Sequence, residues 1–104
     1  MISLLKFNKE YYEPIIKGIK TQTIRKSNKR LRVDETVKAV FNGTDKDVKI
    51  RITNAGYKQF KYLDDEDAER EGFSSLKELK DTLMKIYPLL DPMTRIYYYR
   101  FEVI

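Results

Sequence analysis

The chain contains no cysteine and no histidine among its 104 residues. It therefore has neither disulfides nor a thiol nucleophile, and it lacks the ligands of Cys/His zinc sites. A histidine general base is excluded as well. An enzyme built on this sequence must move protons with Lys, Asp, Glu or Tyr and attack with Thr or Ser, while a magnesium site on carboxylates stays open.

Long apolar runs are also missing. None approaches the roughly 20 residues that span a bilayer, and the segment from Met1 to Lys6 lacks the length and the basic start of a signal peptide. We therefore expect a cytoplasmic protein without membrane contact. With 41% hydrophobic and 36% charged residues, the composition is that of a globular protein, and the length suits one domain over residues 1–104.

The formal net charge of +5 permits an anionic partner such as RNA. The charges are segregated along the chain, as a one-sided binding surface requires. Five cations crowd one segment, namely Arg25, Lys26, Lys29, Arg30 and Arg32, and four carboxylates crowd another, at positions 64–67.

Residues 18–25, with the sequence GIKTQTIR, indicate a helix that ends at Gly18 and a turn into a strand. In an extended strand Thr21, Thr23 and Arg25 share one face, while Gln22 and Ile24 share the other. If Ile24 is buried, the first face presents two hydroxyls and a guanidinium, with Lys20 at the turn. Such a face suits a polar, planar or anionic ligand. The alternative is a solvated edge strand with a polar outer side.

Lys20 and Thr23 are three residues apart across this turn, where their side chains can converge. A lysine serves as a base only when it is desolvated or close to positive charge, and Arg25 is a suitable neighbour. Lys20 could then take the hydroxyl proton of Thr23 for attack on an acyl carbon. In the alternative interpretation both residues are structural: Lys20 neutralises an acidic neighbour, and Thr23 only occupies a position in the hydrogen-bonded strand.

Glu71 is a further candidate, because it precedes Gly72 at the predicted end of a short helix. The helix dipole disfavours a negative charge there. A carboxylate at this place is explained if it pairs with Lys20 or a ligand, although a surface glutamate without function is common.

Periodicity and turn signals predict five strands and two or three helices. The strands are predicted over residues 2–7, 21–25, 36–41, 48–53 and 95–103, and the helices over residues 9–17, 64–71 and 76–87. Asn8 is a predicted helix cap, and Ser75 with Glu78 fits a capping box. Asn42-Gly43 predicts a hairpin. Residues 26–35 are predicted to form a loop and residues 54–63 an irregular segment.

Several side chains are expected to be buried. Ile15, Ile16 and Ile19 form an apolar stripe, and Leu31 and Val33 are a buried pair in the basic loop. Most of the aromatic content is assigned to the core. Core packing is the commoner fate for Tyr57, Phe60 and Tyr62 as well, and the alternative is that they wrap the barrel or line a pocket. In the last strand Tyr97, Tyr99 and Phe101 share one face, and Ile96 and Tyr98 share the other.

The chain resembles the ASCH domain family of the PUA-like superfamily. The similarity lies in the G-x-K-T-x-T-x-R pattern of residues 18–25, the blocks at residues 68–73 and 75–79, Tyr87-Pro88 and the aromatic last strand. The resemblance covers nearly the whole chain. It implies an α+β fold, a small PUA-like β-barrel of about five or six strands with two or three helices.

The resemblance also implies two functions. Some small ASCH proteins are amidohydrolases that release the acyl group from N4-acetylcytidine with a Lys, a Thr and a Glu, which correspond here to Lys20, Thr23 and Glu71. Other ASCH proteins are thought to bind or cut RNA without amidase activity, and the basic loop suits that alternative. The expected partner is thus a modified nucleoside or RNA, bound by a monomer without metal or cofactor. The binding residues are predicted to be Thr21, Arg25, Lys26, Lys29, Arg30 and Arg32.

Overall fold

A computed structural model describes residues 2–104, which form a small α+β fold. Within these residues five strands make one mixed, strongly curled sheet, a half-barrel, with three α-helices around it. The strands are β1 (Ser3–Phe7), β2 (Gln22–Arg25), β3 (Thr36–Phe41), β4 (Asp47–Gln59) and β5 (Arg95–Val103), and the helices are α1 (Tyr12–Ile16), α2 (Asp65–Arg70) and α3 (Leu76–Ile86). The predicted fold class is confirmed.

The strand order is β1-β3-β4-β5-β2. β1 runs parallel to β3, and every other neighbouring pair is antiparallel. β1 and β2 are therefore the edge strands of the half-barrel. The candidate site lies between these two edges, beneath α3.

Two apolar cores lie on opposite faces of β5, as the alternation of its residues predicts. Tyr99 and Phe101 belong to the core that β1, β3 and β4 complete, together with Ile15 of α1. Ile96 faces the second core, in which Ile24 of β2 meets α2 and α3. The short strand β2 thus has one side in the helical core and its other side free for polar groups.

The prediction of an irregular segment over residues 54–63 is wrong for its first half. β4 passes through an irregularity between Ile52 and Asn54 and then pairs with Arg95–Arg100 of β5 as far as Gln59. This half carries no apolar alternation because much of it is exposed. It is a strand because its backbone pairs with β5, and the local sequence pattern does not show this pairing.

Several side chains predicted to be buried are exposed. Tyr57 and Tyr62 are 61% and 62% exposed, whereas Phe60 is buried. Tyr57 lies beyond the core on the extended half of β4, where it packs on Tyr97 of β5. Burial is likewise wrong for Ile16, Ile19 and Val33, while Ile15 and Leu31 are buried as predicted.

The helix ends follow the predicted glycines and, in part, the predicted caps. Gly18 and Gly72 have φ of +75° and +85° and end α1 and α2. The Asn8 side chain makes no cap bond. Ser75 Oγ accepts from the Glu78 N–H at 3.1 Å, but the Glu78 carboxylate accepts from Ser74 instead of closing a capping box. In residues 2–104, the helices are too short or too polar to cross a membrane.

Candidate active site

A cavity of about 170 Å³ opens between the edges of the sheet. β2 forms its floor, and the end of β1 and α3 form its walls. Lys20, Thr23, Arg25 and Glu71 supply its polar lining, and Phe7 and Leu83 are among its apolar residues. Thr23 and Arg25 share a face and line this cavity, as the strand alternation predicts, and Ile24, which also touches it, is buried in the helical core.

Lys20 and Glu71 form a buried ion pair across 51 residues of sequence. Lys20 Nζ donates to Glu71 Oε1 at 3.1 Å and to the Glu71 main-chain oxygen at 3.3 Å. Each side chain is only 5% exposed. The ammonium also lies 4.9 Å from the centre of the Tyr11 ring. Gly18 and Gly72, which end the two helices, bring the two residues together.

The buried surroundings of Glu71 disfavour its charged form. Burial raises the pKa of Glu71 above the usual glutamate value, and the Lys20 ammonium and the nearby Gln22 side chain oppose this only in part. The carboxylate of Asp67 raises the pKa further. In the described part of the chain, Oε2 of Glu71 is buried without a hydrogen-bond partner. A buried acceptor without a partner costs free energy, because it has lost its hydrogen bonds to water. A ligand that donates a hydrogen bond to it removes that cost.

Thr23 is oriented by Arg25 two residues further along β2. Arg25 Nε donates to Thr23 Oγ1 at 3.0 Å, and because this bond occupies a lone pair, the hydroxyl proton of Thr23 points elsewhere. Within residues 2–104 the Thr23 hydroxyl is thus hydrogen-bonded to Arg25 and to neither Lys20 nor Glu71. The guanidinium also lies 4.9 Å from the centre of the Phe7 ring.

A polar network on the opposite face of β2 was missed by the sequence reasoning. Gln22 and Asp67 are 0% and 1% exposed, and Gln22 Nε2 donates to Asp67 Oδ1 at 3.1 Å. Lys58 donates to Asp67 Oδ2 at 2.8 Å, and Arg100 Nε donates to Gln22 Oε1 at 3.1 Å. The network ties β2 to α2, whose end carries Glu71. A glutamine beside Ile24 on an otherwise apolar face was the available signal.

Thr21 does not line the cavity, contrary to its predicted position beside Thr23. Its N–H donates to the Arg70 carbonyl at 2.7 Å, and its carbonyl accepts from the Phe101 N–H at 2.9 Å. With these bonds in place, Thr21 lines a different hollow, which Gly18 and Arg70 also line. β2 begins only at Gln22, so the extended alternation does not reach back to Thr21.

The basic loop lies outside the cavity as well. Leu31 packs into the core, and the Tyr99 hydroxyl accepts from the Lys29 N–H at 2.9 Å and donates to Asn28 Oδ1 at 3.0 Å. These anchors hold the loop against β5, away from α3. The predicted binding residues Lys26, Lys29, Arg30 and Arg32 are exposed, and none lines the cavity.

Residues 2–104 contain no cluster of three or more carboxylates that could bind a metal ion.

The sequence profile of the ASCH domain matches residues 3–104 of this chain. The chain belongs to the ASCH family. No curated protein sequence matches it. The family membership agrees with the resemblance seen in the residues, but it does not specify a substrate or an activity.

Solved structures show the same ASCH fold. The ASCH domain from Lactobacillus crispatus JV V101 has a TM-score of 0.79 at 16% identity, covering 97% of this chain and 79% of that one. The DUF984 protein EF3133 from Enterococcus faecalis V583 also has a TM-score of 0.79 at 16% identity, covering 100% and 77%. The hypothetical protein PH0355 has a TM-score of 0.75 at 20% identity, covering 100% of both chains. At these identities the similarity concerns the fold alone.

Proposed function

We propose that this ASCH protein is an amidohydrolase that removes the acyl group from N4-acylated cytidine, such as N4-acetylcytidine. The observation that carries the proposal is the buried ion pair of Glu71 with Lys20 beside a cavity that Thr23 also lines, in which Glu71 Oε2 has no hydrogen-bond partner among residues 2–104. The amide N–H of an N4-acylated cytosine is a donor of the kind that this oxygen lacks.

The size of the cavity limits how much of the substrate enters it. Its volume of about 170 Å³ is below the roughly 300–1,000 Å³ of sites that enclose drug-sized ligands. The cavity therefore suits the acyl group and the edge of a single base. The sugar remains at the opening between β1 and β2.

The ion pair prepares the base and the acid of the reaction. In the proposed reaction the proton between Lys20 Nζ and Glu71 Oε1 passes to the carboxylate across their 3.1 Å contact, and burial, which raises the pKa of Glu71, favours the neutral acid. Lys20 is then a neutral amine, which is the form that accepts a proton. Glu71 is then a carboxylic acid, which is the form that donates one.

In the first step Thr23 Oγ1 attacks the acyl carbon, and Lys20, which lines the same cavity but is not hydrogen-bonded to this hydroxyl within residues 2–104, accepts the hydroxyl proton through one water. The carbon–nitrogen bond breaks, and Glu71 donates its proton to N4, so that cytidine leaves with a free amine. The Arg25 guanidinium stabilises the developing oxyanion. The product on the protein is an ester of Thr23. Water then hydrolyses this ester, releases the carboxylic acid and restores the hydroxyl.

The test is release of acetate from N4-acetylcytidine by the purified protein. Lys20→Ala, Thr23→Ala and Glu71→Gln should each lower kcat by about a hundredfold or more, as is typical when a base, nucleophile or acid is removed. Thr23→Ala should also abolish the acetylated protein that mass spectrometry detects after rapid quenching.

Matched control variants distinguish the loss of a catalytic group from a nonspecific effect of substitution. Lys17→Ala, Thr21→Ala and Glu69→Gln change the same residue types outside the cavity, and each should keep activity within about twofold because the changed side chain touches none of the reacting groups. Absence of acetate release by the unmodified protein, or full activity of Lys20→Ala, would refute the amidohydrolase.

A second candidate is a non-catalytic RNA-binding module. It is favoured by the exposed cations of the basic loop, because in residues 2–104 none of them pairs with a carboxylate. These cations are Lys26, Lys29, Arg30 and Arg32.

A further inference from the structure

A second hollow adjoins the catalytic cavity at the open edge of the half-barrel. Its volume is about 240 Å³, and it is lined by Leu4, Leu5, Lys6, Arg25 and Lys29. Lys6 and Arg25 line both the hollow and the catalytic cavity. The two hollows therefore meet at these two residues.

The charged lining of this hollow is entirely positive. Lys6, Arg25 and Lys29 contribute three cations, and within residues 2–104 none of them forms an ion pair with a carboxylate. Other hollows of the protein are mixed in charge. The one beside Arg30 includes Asp34 and Glu35, and the one beside Thr21 includes Glu66 and Glu69. The second hollow thus lies next to the catalytic cavity, and its positive charge favours an anion.

Arg25 has the donors that a phosphate requires. Its guanidinium carries five N–H groups, and two of its nitrogens are engaged, Nε with Thr23 and Nη2 with the Lys6 carbonyl. The remaining donors are attached to a planar fork, which matches the geometry of phosphate oxygens. The side chains of Lys6 and Lys29 are exposed and add mobile positive charge at the same place.

We propose that this hollow binds a phosphate group on the sugar of the substrate. The protein would then act on an N4-acylated cytidine phosphate in preference to the free nucleoside. This inference rests on the proposed function and deepens it. The base and acyl group enter the catalytic cavity, the sugar lies over Lys6 and Arg25, and the phosphate meets the three cations. A free mononucleotide and a nucleotide within an RNA strand carry this same chemistry.

The test compares kcat/KM for acetate release from N4-acetylcytidine and from its 5′- and 3′-monophosphates. We expect one monophosphate to exceed the nucleoside by about tenfold or more, mainly through KM, since a hydrogen bond to a charged group is strong. Lys29→Ala should lower that ratio by about tenfold. Lys49→Ala removes the same charge at an exposed position of β4 and should leave the ratio unchanged.

Two further arms complete the design. A short single-stranded RNA with one acetylated cytidine is compared with the monophosphate, and a higher kcat/KM for either one identifies the source of the phosphate. Binding of cytidine and of cytidine 5′- and 3′-monophosphate is measured by calorimetry, without any turnover. Lys29→Ala should weaken binding of the preferred monophosphate and leave cytidine unaffected.

The outcomes distinguish the two proposals. Equal kcat/KM for nucleoside and monophosphates, unaltered in Lys29→Ala, would overturn the phosphate site and leave the amidohydrolase standing. Absence of acetate release, together with monophosphate binding that depends on Lys29 but not on Lys49, would refute the enzyme and support the phosphate site. If monophosphates bind no better than cytidine, the phosphate site is refuted whatever the activity.

Discussion

Arg25, at the end of β2, donates a hydrogen bond from Nη2 to the main-chain oxygen of Lys6 in β1, at 2.8 Å. These strands are the two edges of the sheet. The same guanidinium donates from Nε to Thr23. One side chain therefore joins the edges of the half-barrel and orients the proposed nucleophile.

Arg25→Lys tests this double role. A lysine ammonium lacks the planar fork and cannot reproduce both bonds in their present directions. We expect the free energy of unfolding to fall by about 1–2 kcal/mol, the loss of one or two hydrogen bonds. Acetate release should fall by more than the unfolded fraction explains, because Thr23 loses its orientation. Arg32→Lys is the matched control, and an Arg25→Lys protein with full kcat would contradict the orienting role.

Gly56→Ala tests the packing of the extended half of β4. A Cβ at position 56 would lie 2.5 Å from Tyr98 Oη and 2.7 Å from Cζ, so the half-buried ring must move. Overpacking of this kind costs about 1–3 kcal/mol, measurable by urea unfolding. In a Tyr98→Ala background the same substitution should cost little. An equal cost in both backgrounds would show that the ring is not responsible.

Asp67→Asn tests the buried network beneath the site. Burial raises the pKa of Asp67, but hydrogen bonds from Lys58, Gln22 and the Asp64 N–H outweigh it and hold the pKa below the usual value. A lowered folded pKa contributes stability above the unfolded pKa of about 3.9 and loses it as pH falls through the folded pKa. The unmodified protein should therefore become less stable below about pH 4.

In Asp67→Asn this acid-induced loss should be smaller, while the stability at pH 7 should be lower because Lys58 loses its charged partner. Urea midpoints at pH 7 and pH 3 measure both effects. The exposed Asp81→Asn, which affects only a surface pair with Lys77, should follow the unmodified protein. An unchanged pH dependence in Asp67→Asn would refute the assignment.

The basic loop is tested by RNA binding as a function of salt. Each lost phosphate contact should flatten the salt slope by about one unit or slightly less. A triple alanine variant at Lys29, Arg30 and Arg32 should therefore bind RNA more weakly and with a smaller slope. The control variant carries alanine at Lys17, Lys49 and Lys85. Equal affinity and slope in both variants would exclude the loop as the RNA surface.

Much of the architecture could be predicted because it depends on local patterns. The alternation of β3 and β5, the turn after Phe41 and the glycines at positions 18 and 72 specify strands and helix ends without knowledge of their partners. The alternation of Thr23, Ile24 and Arg25 also predicts which side chains face the cavity, since successive residues of a strand point to opposite sides.

The tertiary structure decided what depends on distant partners. The second half of β4 is a strand because β5 lies beside it, and Gln22 is buried because Asp67 and Arg100 satisfy its amide. The contact between Lys20 and Glu71, and the exclusion of Thr21 and the basic loop from the cavity, arise in the same way. A local sequence pattern specifies the face on which a side chain lies. Which groups it meets depends on segments that are remote in sequence, and those contacts form only when the chain folds.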